Sequence, residues 1–163
     1  MNYHKIEKYS IANGTGIRVV LWVSGCTCYC RNCQNPQTWS FHSGQLFDEK
    51  AKQELFKALD KPYIQGVTFS GGHPLENENI DTVYSLCKEI KEKFPTKDIW
   101  LYTGYTFENI SSYLIMKYID VLVDGKYIEE QKDLTLKWRG SKNQRVIDVK
   151  ESLEQNKVVL YCD

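Results

Sequence analysis

The sequence predicts an α/β fold with a mostly parallel sheet. Short runs rich in β-branched and aromatic residues alternate with stretches of helical periodicity, a pattern typical of βαβ units. The chain has 163 residues, which is enough for one domain with a real core but too few for a full eight-unit barrel. We therefore expect a single domain over residues 1–163.

The predicted elements follow from local patterns taken in chain order. Ile17–Val23 is rich in β-branched and aromatic residues and predicts a buried strand. Residues 48–59 have apolar positions at helical spacing, with Asp48 as N-cap, and a second helix over 79–94 ends before Pro95. A third helix over 106–116 is expected to be capped by Thr106. The other predicted strands are 67–70, 98–103, 119–123, 145–149 and 158–161, the last two around a short helix over 150–156.

Charge and hydropathy exclude several classes of partner. The chain has 21 Lys and Arg residues and 21 Asp and Glu residues, so its net charge is zero and gives no general attraction for phosphate backbones or anionic membranes. Residues 1–10 are polar and do not form a signal peptide, and the longest apolar stretch, 19–23, is too short to span a bilayer. We expect a cytoplasmic protein that binds neither nucleic acid nor membrane.

Four of the six cysteines crowd into residues 26–33. Clustered cysteines in a reducing compartment usually hold a metal. Cys26, Cys30 and Cys33 have the spacing Cys-x3-Cys-x2-Cys, and three thiolates on a 4Fe-4S cluster leave one iron open for chemistry. A zinc site using all four thiolates and local disulfides are the competing interpretations. We expect Cys28 to point away and not to be a ligand, and Cys87 to be a buried residue of the second helix.

The residues with unusual chemistry all follow predicted strands. The cysteine loop follows the first strand, and Ser70-Gly71-Gly72, Thr103-Gly104 and Asp124-Gly125-Lys126 follow the next three. Because right-handed crossovers bring the carboxyl ends of parallel strands to one side, these four turns are predicted to converge on one face.

These motifs together resemble a known family. The cysteine spacing followed by a Gly-Gly-x-Pro turn is similar to the radical S-adenosylmethionine (SAM) superfamily. The runs 13–18, 22–26, 138–141 and 143–145 resemble the activating enzymes of anaerobic (class III) ribonucleotide reductases, and the similarity extends over about residues 3–146. The resemblance implies a short, open partial (βα) barrel of the radical SAM type. It also implies that a 4Fe-4S cluster reductively cleaves SAM and that the 5′-deoxyadenosyl radical generates a glycyl radical on the reductase.

The resemblance assigns the cluster and the methionine end of SAM to particular residues. Cys26, Cys30 and Cys33 match the cluster ligands. Gly71 and Gly72 match a turn whose backbone approaches the methionine amino group closely. His73 stands where relatives commonly have Asp or Glu, and we expect it to be a solvated turn residue rather than a SAM contact.

Further candidates follow from the same resemblance, each beside a plainer alternative. Tyr29 is expected either to pack beside the adenine or to shield the cluster. Thr103 and Gly104 match a turn near the ribose or carboxylate of SAM. Lys126 is expected to neutralise the methionine carboxylate and Asp124 to orient SAM or the peptide, unless this is an ordinary turn. Arg139 and Arg145 are expected to hold SAM or the glycine loop, unless they serve only surface solubility.

The partners implied are the glycyl-radical subunit of a class III reductase and a flavodoxin or ferredoxin-type electron donor. Two alternatives stay open at the level of sequence. One is another small radical SAM enzyme, such as a formate-lyase-type activase or a deazapurine synthase, and the other is a non-enzymatic zinc-binding module.

Overall fold

A computed structural model describes residues 1–162 as one seven-stranded sheet with helices packed on it. The strands are β1 (Asn2–Ser10), β2 (Ile17–Val23), β3 (Gln45–Leu46), β4 (Ile64–Gly71), β5 (Asp98–Tyr102), β6 (Val121–Asp124) and β7 (Arg145–Asp148). The helices are α1 (Glu49–Leu59), α2 (Asn77–Lys93), α3 (Phe107–Ile110) and α4 (Val149–Gln155), and short 3₁₀ turns lie at Pro36–Thr38, Leu114–Tyr118 and Glu129–Gln131. No helix in residues 1–162 combines the length and the apolar composition that a bilayer crossing requires.

The sheet is parallel in the middle and antiparallel at both edges. Its strand order is β3-β1-β2-β4-β5-β6-β7, and β2, β4, β5 and β6 run parallel to one another. β1 pairs antiparallel with β2, β3 with β1, and β7 with β6. The predicted α/β class and parallel centre are confirmed. The sequence did not predict β1 or β3, because β1 is mostly polar and charged and β3 has only two residues.

Both faces of the central strands are buried. On β6, Leu122 joins the main core with α1 and α2, while Val121 and Val123 pack on the opposite face with Trp100. A central strand covered on both faces reads as a continuous apolar run, which is why 17–23 was recognisable as buried. The carboxyl ends of the four parallel strands therefore sit on a rigid base.

A buried arginine attaches the turn before β2 to this base. Arg18 is fully buried, forms a 2.5 Å ion pair with Asp98 and donates from Nε to Thr68 Oγ1 at 2.9 Å. It also donates to the carbonyl of Thr15 at 3.0 Å, and Thr68 donates to that of Asn13 at 2.8 Å. The predicted turn over 13–16 is thus held against β4 by side chains from the sheet.

Two predicted elements differ from those observed. The helix expected over 106–116 is instead the short α3 followed by the 3₁₀ turn Leu114–Tyr118, and Thr106 makes no side-chain cap. The strand expected over 158–161 forms only an isolated bridge between Ile147 and Leu160. The cap predicted for Asp48 is confirmed, since its carboxylate accepts from the amide of Ala51 at 2.9 Å.

Candidate metal centre and ligand cavity

A cavity of about 520 Å³ lies at the carboxyl ends of the parallel strands. The turns after β2, β4, β5 and β6 all line it, as predicted from their positions after strands. A loop over residues 133–140 closes part of its other side. The sequence-predicted residues among its lining are Cys26, Cys28, Cys30, Cys33, Gly71, Gly72, His73, Thr103, Gly104, Lys126 and Arg139.

All four clustered cysteines are free thiols that line this cavity. The expectation that Cys28 points away is wrong, because its side chain lines the cavity. Its Sγ lies 2.5 Å from where a Cβ on Gly104 would stand. A hydrogen bond from the Cys28 thiol lowers the pKa of Cys26 to about 7, although burial opposes the charge. Burial raises the pKa of Cys30. No disulfide joins these cysteines in the described residues. The lowered pKa of Cys26 favours its thiolate, which is the form that binds a metal.

The turn after β4 lies directly against the cysteine loop. Gly71 has φ +105°, and the Gly72 amide donates to the carbonyl of Val23 at 2.8 Å. A Cβ on Gly72 would stand 2.6 Å from the carbonyl oxygen of Gly25. Glycine is required here because two backbones meet without room for a side chain.

His73 is not the solvated residue expected from the sequence. It is 2% exposed, its Nε2 lies 2.7 Å from Thr103 Oγ1, and its Nδ1 lies 3.2 Å from Glu76 Oε1. Its amide donates to the carbonyl of Gly25 at 2.7 Å. Burial lowers the pKa of His73, so the ring is neutral near pH 7. The ring lines the cavity, but both nitrogens already have protein partners.

Glu76 is a site residue that sequence reasoning missed. It precedes α2 as the N-cap residue, yet its carboxylate makes no cap and is only 6% exposed. Glu76 Oε1 accepts from the amide of Thr27 at 2.7 Å and from the Thr27 hydroxyl at 2.8 Å. Burial opposes its charge, but these hydrogen bonds hold the pKa of Glu76 below its usual value. The only available signal was an acidic residue three positions after His73 at a helix start.

Two cationic side chains face the cavity. Lys126 is exposed at its edge. Arg139 lines it from the loop over 133–140, and its Nε and Nη1 are buried without a hydrogen-bond partner anywhere in residues 1–162. A buried guanidinium without an acceptor is costly, so this site favours an anionic ligand group such as a carboxylate.

Three predicted residues lie off the cavity. Tyr29 is 62% exposed and packs edge-on against Trp39, with ring centroids 5.2 Å apart, so the structure does not place it beside a bound adenine. Asp124 is 1% exposed and accepts from Arg145 Nη2 at 2.5 Å and from the amide of Phe107 at 2.8 Å. Its carboxylate therefore caps α3 and pairs with Arg145 instead of orienting a ligand. Arg145 also donates to Glu108, so its guanidinium is held by two carboxylates and is not a loose surface charge.

The donors in the cavity fit an iron–sulfur cluster with SAM. Three cysteines at Cys-x3-Cys-x2-Cys spacing supply thiolates, the Gly71-Gly72 turn supplies close backbone, and Arg139 supplies an unsatisfied donor pair. Within the described chain, no three Cys, His, Asp or Glu side chains are gathered tightly enough to hold one metal ion.

Comparison with known proteins defines the class and then the family. The model of the 4Fe-4S single cluster domain matches residues 12–147, so this fold and cavity are those of an iron–sulfur protein. The chain is 47% identical over 148 residues to the anaerobic ribonucleoside-triphosphate reductase-activating protein of Enterobacteria phage T4, covering 90% of this chain and 93% of the relative. It is 43% identical to the protein of that name from Haemophilus influenzae (88% and 96% covered) and 41% identical to that from Escherichia coli K12 (90% and 97% covered). The chain belongs to the family of anaerobic ribonucleoside-triphosphate reductase-activating proteins.

Proposed function

We propose that this chain is the enzyme that activates an anaerobic ribonucleotide reductase. In this proposal Cys26, Cys30 and Cys33 hold a 4Fe-4S cluster, and SAM occupies the rest of the cavity. When bound, the cluster supplies the electron that cleaves SAM, and the resulting 5′-deoxyadenosyl radical takes a hydrogen atom from a glycine of the reductase. The observation that carries the proposal is the convergence of these thiols, the glycine turn and the unpartnered Arg139 on one cavity in a chain of this family.

The chain's own residues orient SAM and keep water away. Gly71 and Gly72 bring backbone carbonyls within reach of the methionine amino group, which donates to them. Arg139 binds the methionine carboxylate, and Lys126 adds positive charge at the edge. Thr103 and Gly104 form the wall nearest the ribose. A primary radical attacks most nearby C–H bonds, so the reductase is required to cover the open side during reaction.

We propose that this sheet belongs to a short, open partial (βα) barrel of the radical SAM type. In this proposal the parallel strands β2, β4, β5 and β6 would form the arc, and the antiparallel edge strands would leave it open. An open side suits a glycine loop carried by a large protein. We propose that the 163 residues act as one domain in the reducing cytoplasm, where a flavodoxin or ferredoxin-type donor reduces the cluster, with no role for nucleic acid or membrane.

The test replaces two cysteines of the loop, one at a time. After anaerobic reconstitution, wild-type protein is expected to contain about four irons and four sulfides per chain. Cys30→Ala is expected to lose the stable cluster, whereas Cys28→Ala keeps it. With SAM, a reductant and the reductase, wild-type protein is expected to produce a glycyl radical signal in electron paramagnetic resonance.

Cys28→Ala is the matched control for Cys30→Ala, since each variant removes one thiol from the same loop. Equal loss of iron in both variants would show that the ligand assignment is wrong. Wild-type protein that binds one zinc, takes up no cluster and cleaves no SAM would overturn the proposed function.

A further inference from the structure

Four side chains form a hydrogen-bonded network beside the cavity wall. Thr27, Glu76, His73 and Thr103 are joined by contacts of 2.8, 3.2 and 2.7 Å in that order. Thr27 lies in the cysteine loop, His73 and Glu76 lie in the segment between β4 and α2, and Thr103 follows β5. The His73–Glu76 network therefore connects three of the four loops that build the cavity.

With a neutral histidine ring, the donors and acceptors of this network fit one arrangement. The Tyr105 amide donates to Thr103 Oγ1 at 3.1 Å, and the Thr103 hydroxyl can donate to His73 Nε2. A carboxylate only accepts, so His73 Nδ1 carries the proton and donates to Glu76. Since burial lowers the pKa of His73, this neutral arrangement is favoured, and Glu76 supplies the one negative charge of the pair.

Glu76 also satisfies the backbone of the cluster loop. Its Oε1 accepts the amide of Thr27, the residue directly after Cys26, at 2.7 Å. On the other side of His73, Asn79 Nδ2 donates to the carbonyls of Ser24 and His73 at 2.9 and 3.0 Å. The start of α2 thus fixes the position of the cysteine loop relative to the glycine turn.

We propose that Glu76 is a positioning residue that sets the cysteine loop against the methionine-binding turn, and that His73 extends this control to Thr103. The inference rests on the proposed function for its consequence, the correct placement of SAM relative to the cluster. It also accounts for histidine at position 73. A carboxylate there would lie within hydrogen-bond distance of Glu76, and two buried like charges would repel each other.

The first experiment compares Glu76→Ala, Glu76→Gln and the control Glu78→Ala, an exposed acid in the first turn of the same helix. In the metal-free protein, the Thr27 amide is expected to exchange its hydrogen roughly tenfold faster in Glu76→Ala, the factor expected for one charge-assisted hydrogen bond. Glu76→Gln keeps an acceptor and is expected to fall between wild type and Glu76→Ala. Glu78→Ala is expected to match wild type.

The second experiment measures the loaded protein. Glu76→Ala is expected to weaken SAM binding roughly tenfold and to change the cluster's paramagnetic resonance line shape in the presence of SAM, because outer-shell partners of metal sites have effects of this size. His73→Asp is expected to weaken SAM binding as well, because two carboxylates then face each other. Adding Glu76→Gln should recover part of the loss, since the pair again carries one negative charge and the amide oxygen still accepts from Thr27.

The outcomes separate the two proposals. Unchanged Thr27 exchange and unchanged SAM affinity in both Glu76 variants would overturn the inference and leave the proposed function intact. A His73→Asp, Glu76→Gln double variant that binds SAM no more tightly than His73→Asp alone would overturn the pairing of the two residues. Wild-type protein that takes up no cluster would overturn the proposed function, while the exchange data on metal-free protein still decide whether Glu76 holds the loop.

Discussion

Among the side chains that line the cavity, Arg139 is the one with buried polar atoms that lack a hydrogen-bond partner in residues 1–162. Its Nε and Nη1 are buried without an acceptor in the part of the chain that the structure describes. The preceding residue, Trp138, has φ +59°, a left-handed conformation that is unfavourable for a bulky side chain. Tyr102 donates to the Trp138 carbonyl at 2.7 Å, and Trp138 packs against Trp100, so neighbouring contacts hold this backbone in place. Strain maintained in this way is typical of residues that present a ligand contact.

At the residue scale, Arg139→Gln is expected to weaken SAM binding about tenfold or more, because a hydrogen bond to a charged group contributes about 1.5–3 kcal/mol. Arg139→Lys is expected to recover only part of this affinity, since the single nitrogen of an ammonium cannot replace both guanidinium donors. Equilibrium binding of SAM to the reconstituted protein measures both. Lys137→Gln, an exposed cation two residues away, is the control. Arg139→Gln binding SAM as tightly as the control would remove Arg139 from the site.

The loops after β2 and β5 form a second contact that determines the shape of the cavity. A Cβ on Gly104 would stand 2.5 Å from the sulfur of Cys28, which is too close. It would stand 3.7 Å from the Cβ of Cys28, which is an ordinary contact distance. A sulfur that packs against a loop in this way has a steric role whether or not it ever binds iron. The two positions should therefore be coupled energetically.

At the element scale, Gly104→Ala is expected to lower the melting temperature and reduce cluster uptake, because the new methyl would overlap Cys28 Sγ. The double variant with Cys28→Ala removes the sulfur and is expected to recover most of the loss. Thermal unfolding and iron content of the two single variants and the double variant measure the coupling. Equal loss with and without Cys28 would contradict it.

At the scale of the whole molecule, the core does not depend on the cysteine loop. The main buried cluster is built from β2, β4, β5 and β6 with α1 and α2, and none of Cys26, Cys28, Cys30 and Cys33 contributes to it. Small zinc modules differ, because their folding energy comes from the metal. In this protein the sheet is stabilised by its apolar packing, and the metal serves the chemistry.

Metal-free protein is therefore expected to keep its far-ultraviolet circular dichroism and a cooperative melting transition. Cluster binding should raise the melting temperature, since any ligand of the folded state stabilises it by mass action. Loss of secondary structure when iron is removed with a chelator would show that the sheet is not self-sufficient. Lys137→Gln, an exposed substitution taken through the same chelator treatment, shows how much secondary structure is lost through handling alone.

The sequence by itself determined the parallel centre of the sheet, the position of the cysteine loop after β2 and the meeting of four turns at one face. These features are encoded locally, because buried central strands are apolar along their whole length and a close backbone approach needs glycine. Cys26 and Gly72 could be placed by their neighbours in the chain alone.

Only the tertiary structure decided the roles of His73, Glu76, Cys28 and Asp124. Each of these polar side chains could face water, a ligand or another protein group, and the choice depends on partners that are distant in the chain, such as Phe107 for Asp124 and Thr27 for Glu76. A buried polar group must find such a partner, and no local pattern shows which one will be in reach. For that reason the location of the cavity was predictable from the sequence, while the network that shapes its wall was not.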